Sequence, residues 1–473
     1  MRYIGILLVL ASIPGFILLL QSRPEMRRFA YFGIGLFPLV LSAVNLDAAL
    51  INGSGFIGHT SGMVLSLLDT LCIGILATSN KPFAKLPFVV PCLLYFFAVL
   101  IATIVTKPVI PATFYLFQLV RIFLIFTTVA TIIRERSALR LIAFGLASGT
   151  LIQAVVSLWQ RLNGVFQVSG TMPHQNTLGM MLHFVTLPLL AMCLSGERSK
   201  LIFAGVGAGM ICVALGASRG SIGFLFLGIL TLFLLSVIRR PTKRKFTVIS
   251  VAVGLSVLVS PLIYSGISQR FDALEKNTSD YDERAAFESA ATMMANDHLL
   301  GVGPNQYVRA SNVEGYADAA GVGWAHGSRS AHVHNLFLLM AAETGWFGMI
   351  SFIIFLVIVI SRGLLYSFTD RTRASGDAVL GFTVAVVVMS LHSLYEWIAV
   401  TYQVQAIAAI AIGVIAGFMR IDSRGLKGAP RPKQMVNQSK NSLIIDATRS
   451  SMLVLSDDPS GRNTLIYGSA NQS

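Results

Sequence analysis

The sequence is short of charge. Asp, Glu, Lys and Arg make up 12% of its 473 residues, where soluble globular proteins carry about 25%. Over so long a chain that shortage excludes an ordinary soluble enzyme. It does not point to disorder either, because 54% of the residues are hydrophobic and disorder needs low hydrophobicity. Cysteine is scarce as well. Cys72, Cys92, Cys193 and Cys212 have neither metal-cluster spacing nor the pattern of an exported disulfide framework. All four fall in apolar stretches and read as small packing residues. Acids are fewer than bases, 22 against 36, for a net charge of +14. A basic excess invites a nucleic-acid partner, but that needs the charge gathered on one soluble face. No such face is legible, and no nucleic-acid partner is expected.

What the chain has in abundance is long apolar runs, with a mean hydropathy of +0.71. Roughly 20 apolar residues cross a bilayer as a helix. About thirteen stretches qualify: 3–20, 29–51, 62–78, 86–106, 111–133, 138–158, 174–195, 200–217, 220–238, 246–266, 335–361, 376–396 and 401–420. The shortest are 3–20 and 62–78. No small-residue cleavage site follows 3–20, so it reads as a first span rather than a removed signal. Barrel strands would be about 10 residues long and alternating, which these runs are not. The expected fold is an all-α polytopic membrane protein with about 12–13 transmembrane helices and one large periplasmic loop containing short helices.

Lys and Arg in short loops set orientation. Alternate loops are basic, with Arg23, Arg27 and Arg28, then Lys81 and Lys85, Arg134, Arg136 and Arg140, Arg198 and Lys200, the run from Arg239 to Lys245, and Arg362, Arg371 and Arg373. These are expected in the cytoplasm, with the basic tail. The opposite loops are nearly free of bases except for one long segment, 267–333, which is then outside the cytoplasm. Trp159, Trp324, Trp346 and Trp397 fall on or near that outer side, as an aromatic belt places them. The expected organisation is 1–266 with about ten spans, 267–334 as the periplasmic loop, 335–420 with about three spans, and 421–473 as a disordered cytoplasmic tail. The +14 is thereby a topology signal. The outer segment 267–333 itself carries nine acids against five bases.

Four stretches carry polar residues where chemistry could sit. In 331–349, His332, His334 and Asn335 precede an apolar helix running to about Ile360. At 1.5 Å per residue it would be about 40 Å long, beyond the ~30 Å core, so its first turns should project outward with His334 near headgroup level. Gly345 and Gly348 provide a small-residue packing face. A bland reading has His334 and Asn335 merely capping the helix. In 216–223, Arg219 stands at the mouth of a span, fit either to hold phosphate bidentately or to snorkel. In 282–308, Arg284 opens an amphipathic helix with Ala285, Phe287, Ala291, Met294 and Leu299 at helical spacing, and GVGPN follows as a turn. Arg284 could equally pair with Glu288 at i, i+4. In 169–182, Pro173, His174 and Asn176 open a span, with Asn176 or Thr171 as a plain N-cap. Two Arg and a His suit a division of labour: guanidinium groups neutralise a diphosphate leaving group, and imidazole takes a proton from an attacking hydroxyl. Asp69 and Arg121 are mid-span charges. An unpaired Arg there costs on the order of 2.5–3.5 kcal/mol, so Arg121 should face inward and pair with Asp69 or another acid. A zinc site from His326, His332 and His334 is disfavoured, because i, i+2 residues diverge on a helix.

These motifs resemble the O-antigen ligase and polysaccharide polymerase superfamily of bacterial inner-membrane proteins, over about residues 120–420. The most specific element is His334, Asn335, nine residues, Gly345, two residues and the small Gly348. The Ser-Arg-Gly at 218–220, the run from Arg284 to GVGPN and the PHQN at 173–176 resemble the family's other elements, in the same order. The resemblance implies a glycosyltransferase using an undecaprenyl-diphosphate-linked glycan donor, with no cofactor, metal or nucleotide. It implies that Arg219 and Arg284 bind the diphosphate, that His334 is the essential histidine, and that the anomeric carbon is inverted. His332, His174, Asn176, Asn335, Gly345 and Gly348 would support the site. Some O-antigen polymerases also carry Arg, ten residues, Gly in two outer loops. Here Arg161 and Arg309 meet Met172 and Ala320 instead. The expected activity is polymerisation of exopolysaccharide or O-antigen repeats, with chain-length or synthesis proteins as possible partners. The alternatives are a ligase acting on lipid A core and a transporter of lipid-linked glycan.

Overall fold

The computed structural model describes residues 2–44, 47–53, 56–79, 86–134, 137–274, 279–369 and 374–428. The tail beyond 428, with its short apolar SMLVLS patch, lies outside the described residues, as do Lys81, Lys85, Arg136, Arg371 and Arg373. Residues Met1–Asp422 form one compact unit.

Every apolar stretch named above holds a helix. The first six are α1 (Arg2–Ser22), α2 (Arg27–Val44), α3 (Leu67–Ala77), α4 (Val89–Val105), α5 (Val109–Ile132) and α6 (Ala138–Leu162). Then come α7 (Gln175–Ser195), α8 (Lys200–Leu215), α9 (Arg219–Arg239) and α10 (Lys243–Leu274). The long segment follows with four helices, α11 (Ser279–Asp297), α12 (Tyr307–Val313), α13 (Tyr316–Ala319) and α14 (His326–Ser330). Three more complete the chain: α15 (Leu336–Thr369), α16 (Ala374–His392) and α17 (Tyr402–Gly428). Eight of these are long and apolar enough to cross a membrane: α1, α5, α6, α7, α9, α15, α16 and α17. The chain is an all-α polytopic membrane protein, as a backbone that must satisfy its own hydrogen bonds in hydrocarbon requires.

One local exception interrupts the helices. The strands β1 (Asp47–Asn52) and β2 (Gly62–Ser66) pair antiparallel, with a register shift between Ala49 and Ile51. This corrects the expected span 62–78: its first third is strand, and α3 has only 11 residues. Ser66 and Asp69 stop the strand by forming a capping box, each side chain bonding the other's backbone. Two orphan N–H groups are satisfied at once, so a helix starts there.

The core centres on α7, all of whose apolar window is buried, packed against α8, α9 and α16. Without a hydrophobic drive inside lipid, helices associate by close backbone approach at small residues. The α2–α6 crossing shows this: a Cβ on Gly35 would lie 2.1 Å from the Ile142 carbonyl, and one on Gly145 2.0 Å from that of Phe32.

Arg121 turns inward, as its cost in lipid demands. Its Nη2 and Nε donate to Asp69 Oδ2 at 2.6 and 2.8 Å. The guanidinium lies 3.7 Å from the Tyr402 ring centroid, and the Tyr402 hydroxyl donates to Asp69 Oδ1 at 3.2 Å. Three helices, α3, α5 and α17, are thus joined by one buried ion pair. Removing one partner strands the other charge, at about 3–5 kcal/mol. Arg121→Met should therefore lower the thermal midpoint in detergent markedly, and adding Asp69→Asn, which keeps the capping acceptor, should recover much of the loss.

Candidate active site

The segment carrying His334 is held from both sides. Asn335 Oδ1 accepts from the backbone N–H of Phe337 and Leu338 at 3.0 and 3.2 Å, so Asn335 is the N-cap of α15. The Leu336 N–H donates to the Ser393 carbonyl at 2.8 Å, which fastens this helix start to the end of α16. Three residues beyond Ser393 stands Glu396, only 7% exposed. Its two carboxylate oxygens serve two sequence motifs. Oε2 lies 3.4 Å from His334 Nδ1, and Oε1 accepts from Asn176 Nδ2 at 2.6 Å. An ionised carboxylate only accepts, so it favours the His334 tautomer with hydrogen on Nδ1. Nε2 then carries the lone pair. The His334 side chain is 28% exposed, open enough for a hydroxyl to approach.

The two arginines come in on neighbouring elements. Arg219 is the exposed first residue of α9, after the N-cap Ser218. Next to it, a Cβ on Gly220 would lie 2.9 Å from Nε2 of His392, at the end of α16. The His392 ring stacks on Phe224 at 4.8 Å and meets His183 of α7 at 3.2 Å. The start of α9 is thereby set beside the turn that leads to Glu396. Arg284 lies on α11, one turn before Phe287, whose ring centroid is 6.3 Å from that of His334. Arg284 is exposed and makes no ion pair among the described residues. The alternative Arg284–Glu288 pair is therefore not among the ion pairs of the described residues. The apolar face of α11 is also shifted: Ala286, Phe287, Ala290, Ala291 and Met294 are buried. Ala285 is exposed, and Leu299, 76% exposed, lies past the helix end.

The helix after His334 is not one straight rod. Gly345 has φ 68° and ψ 176°, which breaks α15 into 336–344 and 346–369. A Cβ there would sit 2.1 Å from the Leu299 carbonyl. The break lets the GVGPN loop dock: Val302 and Gly303 N–H donate to the Ala342 and Glu343 carbonyls at 2.8 and 3.0 Å. The expected 40 Å helix is therefore a short segment of about 14 Å leading into a span of about 36 Å, at 1.5 Å per residue. Gly345 shapes this loop rather than a helix–helix face. Gly348 is close-packed within its own helix, a Cβ there lying 1.9 Å from Thr344 Oγ1.

The remaining named residues sit elsewhere. The α7 N-cap is His174, which accepts from the Asn176 N–H at 3.2 Å; it is neither Asn176 nor Thr171. His332, two residues from His334, stacks on Trp397 at 4.2 Å. Asp69 and Arg121 belong to the α3–α5–α17 cluster. No group of three His, Cys, Asp or Glu among the described residues is placed to hold a metal ion. The chief residue of the candidate site that sequence reasoning missed is Glu396. An acid at the very end of the apolar run 376–396 was the available signal.

Burial, then His59 and His334, push the His332 pKa well below the ordinary 6.5. The folded protein holds this ring neutral, while the unfolded chain protonates it as pH drops below about 6.5. The unfolded state then binds more protons, so this contribution to stability is lost as pH falls through 6.5. The thermal midpoint should fall between pH 7.5 and 5.5 (both about one unit from the free value), and His332→Phe should lessen that fall.

A family model described as O-antigen ligase matches residues 183–353. The match takes in Arg219, Arg284, His334, Gly345 and Gly348; Asn176 and Glu396 lie outside it. No curated protein matches the chain. Residues 183–353 of this multi-pass membrane protein are thus similar to the O-antigen ligase family.

Proposed function

We propose that the chain is a glycosyltransferase of the bacterial inner membrane, working at its periplasmic face. It moves a glycan from an undecaprenyl-diphosphate carrier to an acceptor sugar hydroxyl and so polymerises exopolysaccharide or O-antigen repeats. The observation that carries this is the His334–Glu396–Asn176 contact, with Phe287 of the Arg284 helix near His334 and the Arg219 helix start against His392.

His334 Nε2 takes the proton of the acceptor hydroxyl as its oxygen attacks the anomeric carbon. Glu396 keeps the imidazole oriented and stabilises the imidazolium that forms, as a carboxylate behind a catalytic His does. On the opposite side of that carbon the bond to the diphosphate oxygen breaks. Arg219 and Arg284 neutralise the leaving group with charge-assisted hydrogen bonds. One displacement inverts the carbon. The carrier lipid stays in the bilayer, the glycans remain on the periplasmic side, and the C-terminus is cytoplasmic.

His334→Ala should lower transfer on the order of 100-fold or more while membrane insertion is kept. Glu396→Gln should cost about tenfold, the worth of one charged hydrogen bond. Arg219→Lys should also impair transfer, since an ammonium cannot grip phosphate bidentately. Full activity of His334→Ala in a purified assay would sink the assignment.

Ligase and polymerase differ only in acceptor, and the same chemistry serves both. Cells lacking the gene separate them. A polymerase leaves single lipid-linked repeats in place of long polymer. A ligase leaves long lipid-linked polymer and unmodified lipid A core. A lipid-linked glycan transporter, the remaining alternative, would leave the purified protein without transferase activity.

A further inference from the structure

Trp324 is the most exposed large apolar side chain among the described residues, at 82%. It lies in the long segment, just before α14, and it is not loosely hung. The Arg329 guanidinium covers one face of the indole, 4.0 Å from a ring centroid. That guanidinium is itself fixed: Nη2 donates to Asp318 Oδ1 at 2.6 Å and to the Val322 carbonyl at 2.9 Å, and Nε donates to the Gly323 carbonyl at 3.1 Å. The other indole face is open. Cation–π support on one side with the other side bare makes a rigid aromatic shelf.

The shelf stands close to the candidate site. Ser328 Oγ donates to Glu283 Oε1 at 2.8 Å, and a Cβ on Gly323 would lie 3.0 Å from the same oxygen. Glu283 immediately precedes Arg284. The residue before Trp324 therefore comes against Glu283 of α11, the helix that carries a candidate diphosphate arginine. Carboxylates of Glu283 and Asp318 lie beside the shelf as ready hydrogen-bond acceptors.

We infer that Trp324 is a saccharide-binding platform, on which a pyranose ring of the glycan stacks while its hydroxyls donate to neighbouring carboxylates. The C–H face of a pyranose carries slight positive charge, and the face of an indole is negative, so the two attract without displacing a charge. This rests on the proposed glycan transfer and adds to it where a sugar ring is gripped. A bilayer headgroup is the competing neighbour, since interfacial Trp also anchors proteins. Two carboxylates at the shelf disfavour an anionic membrane surface and favour a polyhydroxyl ligand.

The test uses the full chain in lipid nanodiscs and the lipid-linked glycan that accumulates in cells lacking the gene. Trp324→Ala should raise KM about fivefold with kcat kept, a loss within the range of one aromatic stack. Trp324→Phe should recover most of it. Free glycan, released from the lipid by mild acid, should change the tryptophan fluorescence of the wild type saturably and leave Trp324→Phe unresponsive. Unchanged KM in Trp324→Ala, or the same fluorescence response in Trp324→Phe, overturns the platform. So does quenching of the Trp324 share of the emission by brominated phosphatidylcholine, which would give the side chain to the bilayer. His334→Ala is the separating control. If it keeps full transfer, the role given to His334 fails while a Trp324-dependent glycan titration still stands.

Discussion

A buried carboxylate organises the part of this protein that carries the candidate site. Glu343 is wholly buried, in the short half of α15. Its Oε2 lies 3.0 Å from His59 Nε2 and accepts from the Asn305 N–H at 2.8 Å, while Oε1 accepts from the Tyr307 N–H at 3.1 Å. An unpaired carboxylate there would be very costly, and a satisfied one fixes everything that satisfies it. Asn305 is held at φ 63°, with its side chain bonded to the Thr60 N–H and to the Thr60 and Pro111 carbonyls. Tyr307 reaches back through its hydroxyl to the Phe287 carbonyl at 3.0 Å. Phe287 in turn faces His334. One acid thereby locates the GVGPN loop, the helix of Arg284 and the neighbourhood of the histidine.

The kink at Gly345 is the condition for this. A continuous helix would keep the Ala342 and Glu343 carbonyls for its own ladder. With the ladder broken, the loop takes them, and the loop backbone passes where any side chain on residue 345 would stand. The His–Asn–Gly spacing that identifies the motif therefore measures a distance along one short helix. It runs from an N-cap beside the histidine to a break that receives the loop. Chemistry and architecture occupy opposite ends of the same nine residues.

The second support is Glu396, which joins the PHQN and His334 motifs although neither names it. It shares the logic of Asp69 with Arg121: in a low-dielectric interior each charged group is met by a partner from a distant helix. His332 follows the opposite route to the same end. Burial keeps it neutral, and its ring packs on Trp397 instead of joining a ligand set.

Much was legible in the residues alone. Helix positions, the long segment with its short helices and the inward turn of Arg121 follow from hydropathy and from the cost of charge in lipid. Both depend on composition along the chain, and the bilayer reads composition. The candidate arginines and histidine were visible as motifs too. The partner of His334 was not, because Glu396 lies 62 residues away and a carboxylate at a span end has many possible uses. Nor was the strand pair over 47–66, which borrows apolar residues that hydropathy assigns to spans. The break at Gly345 was equally hidden, since glycine permits a left-handed backbone without requiring it. Which glycine bends, and which acid meets which histidine, depends on what packs against it, and only the tertiary structure brings those neighbours together.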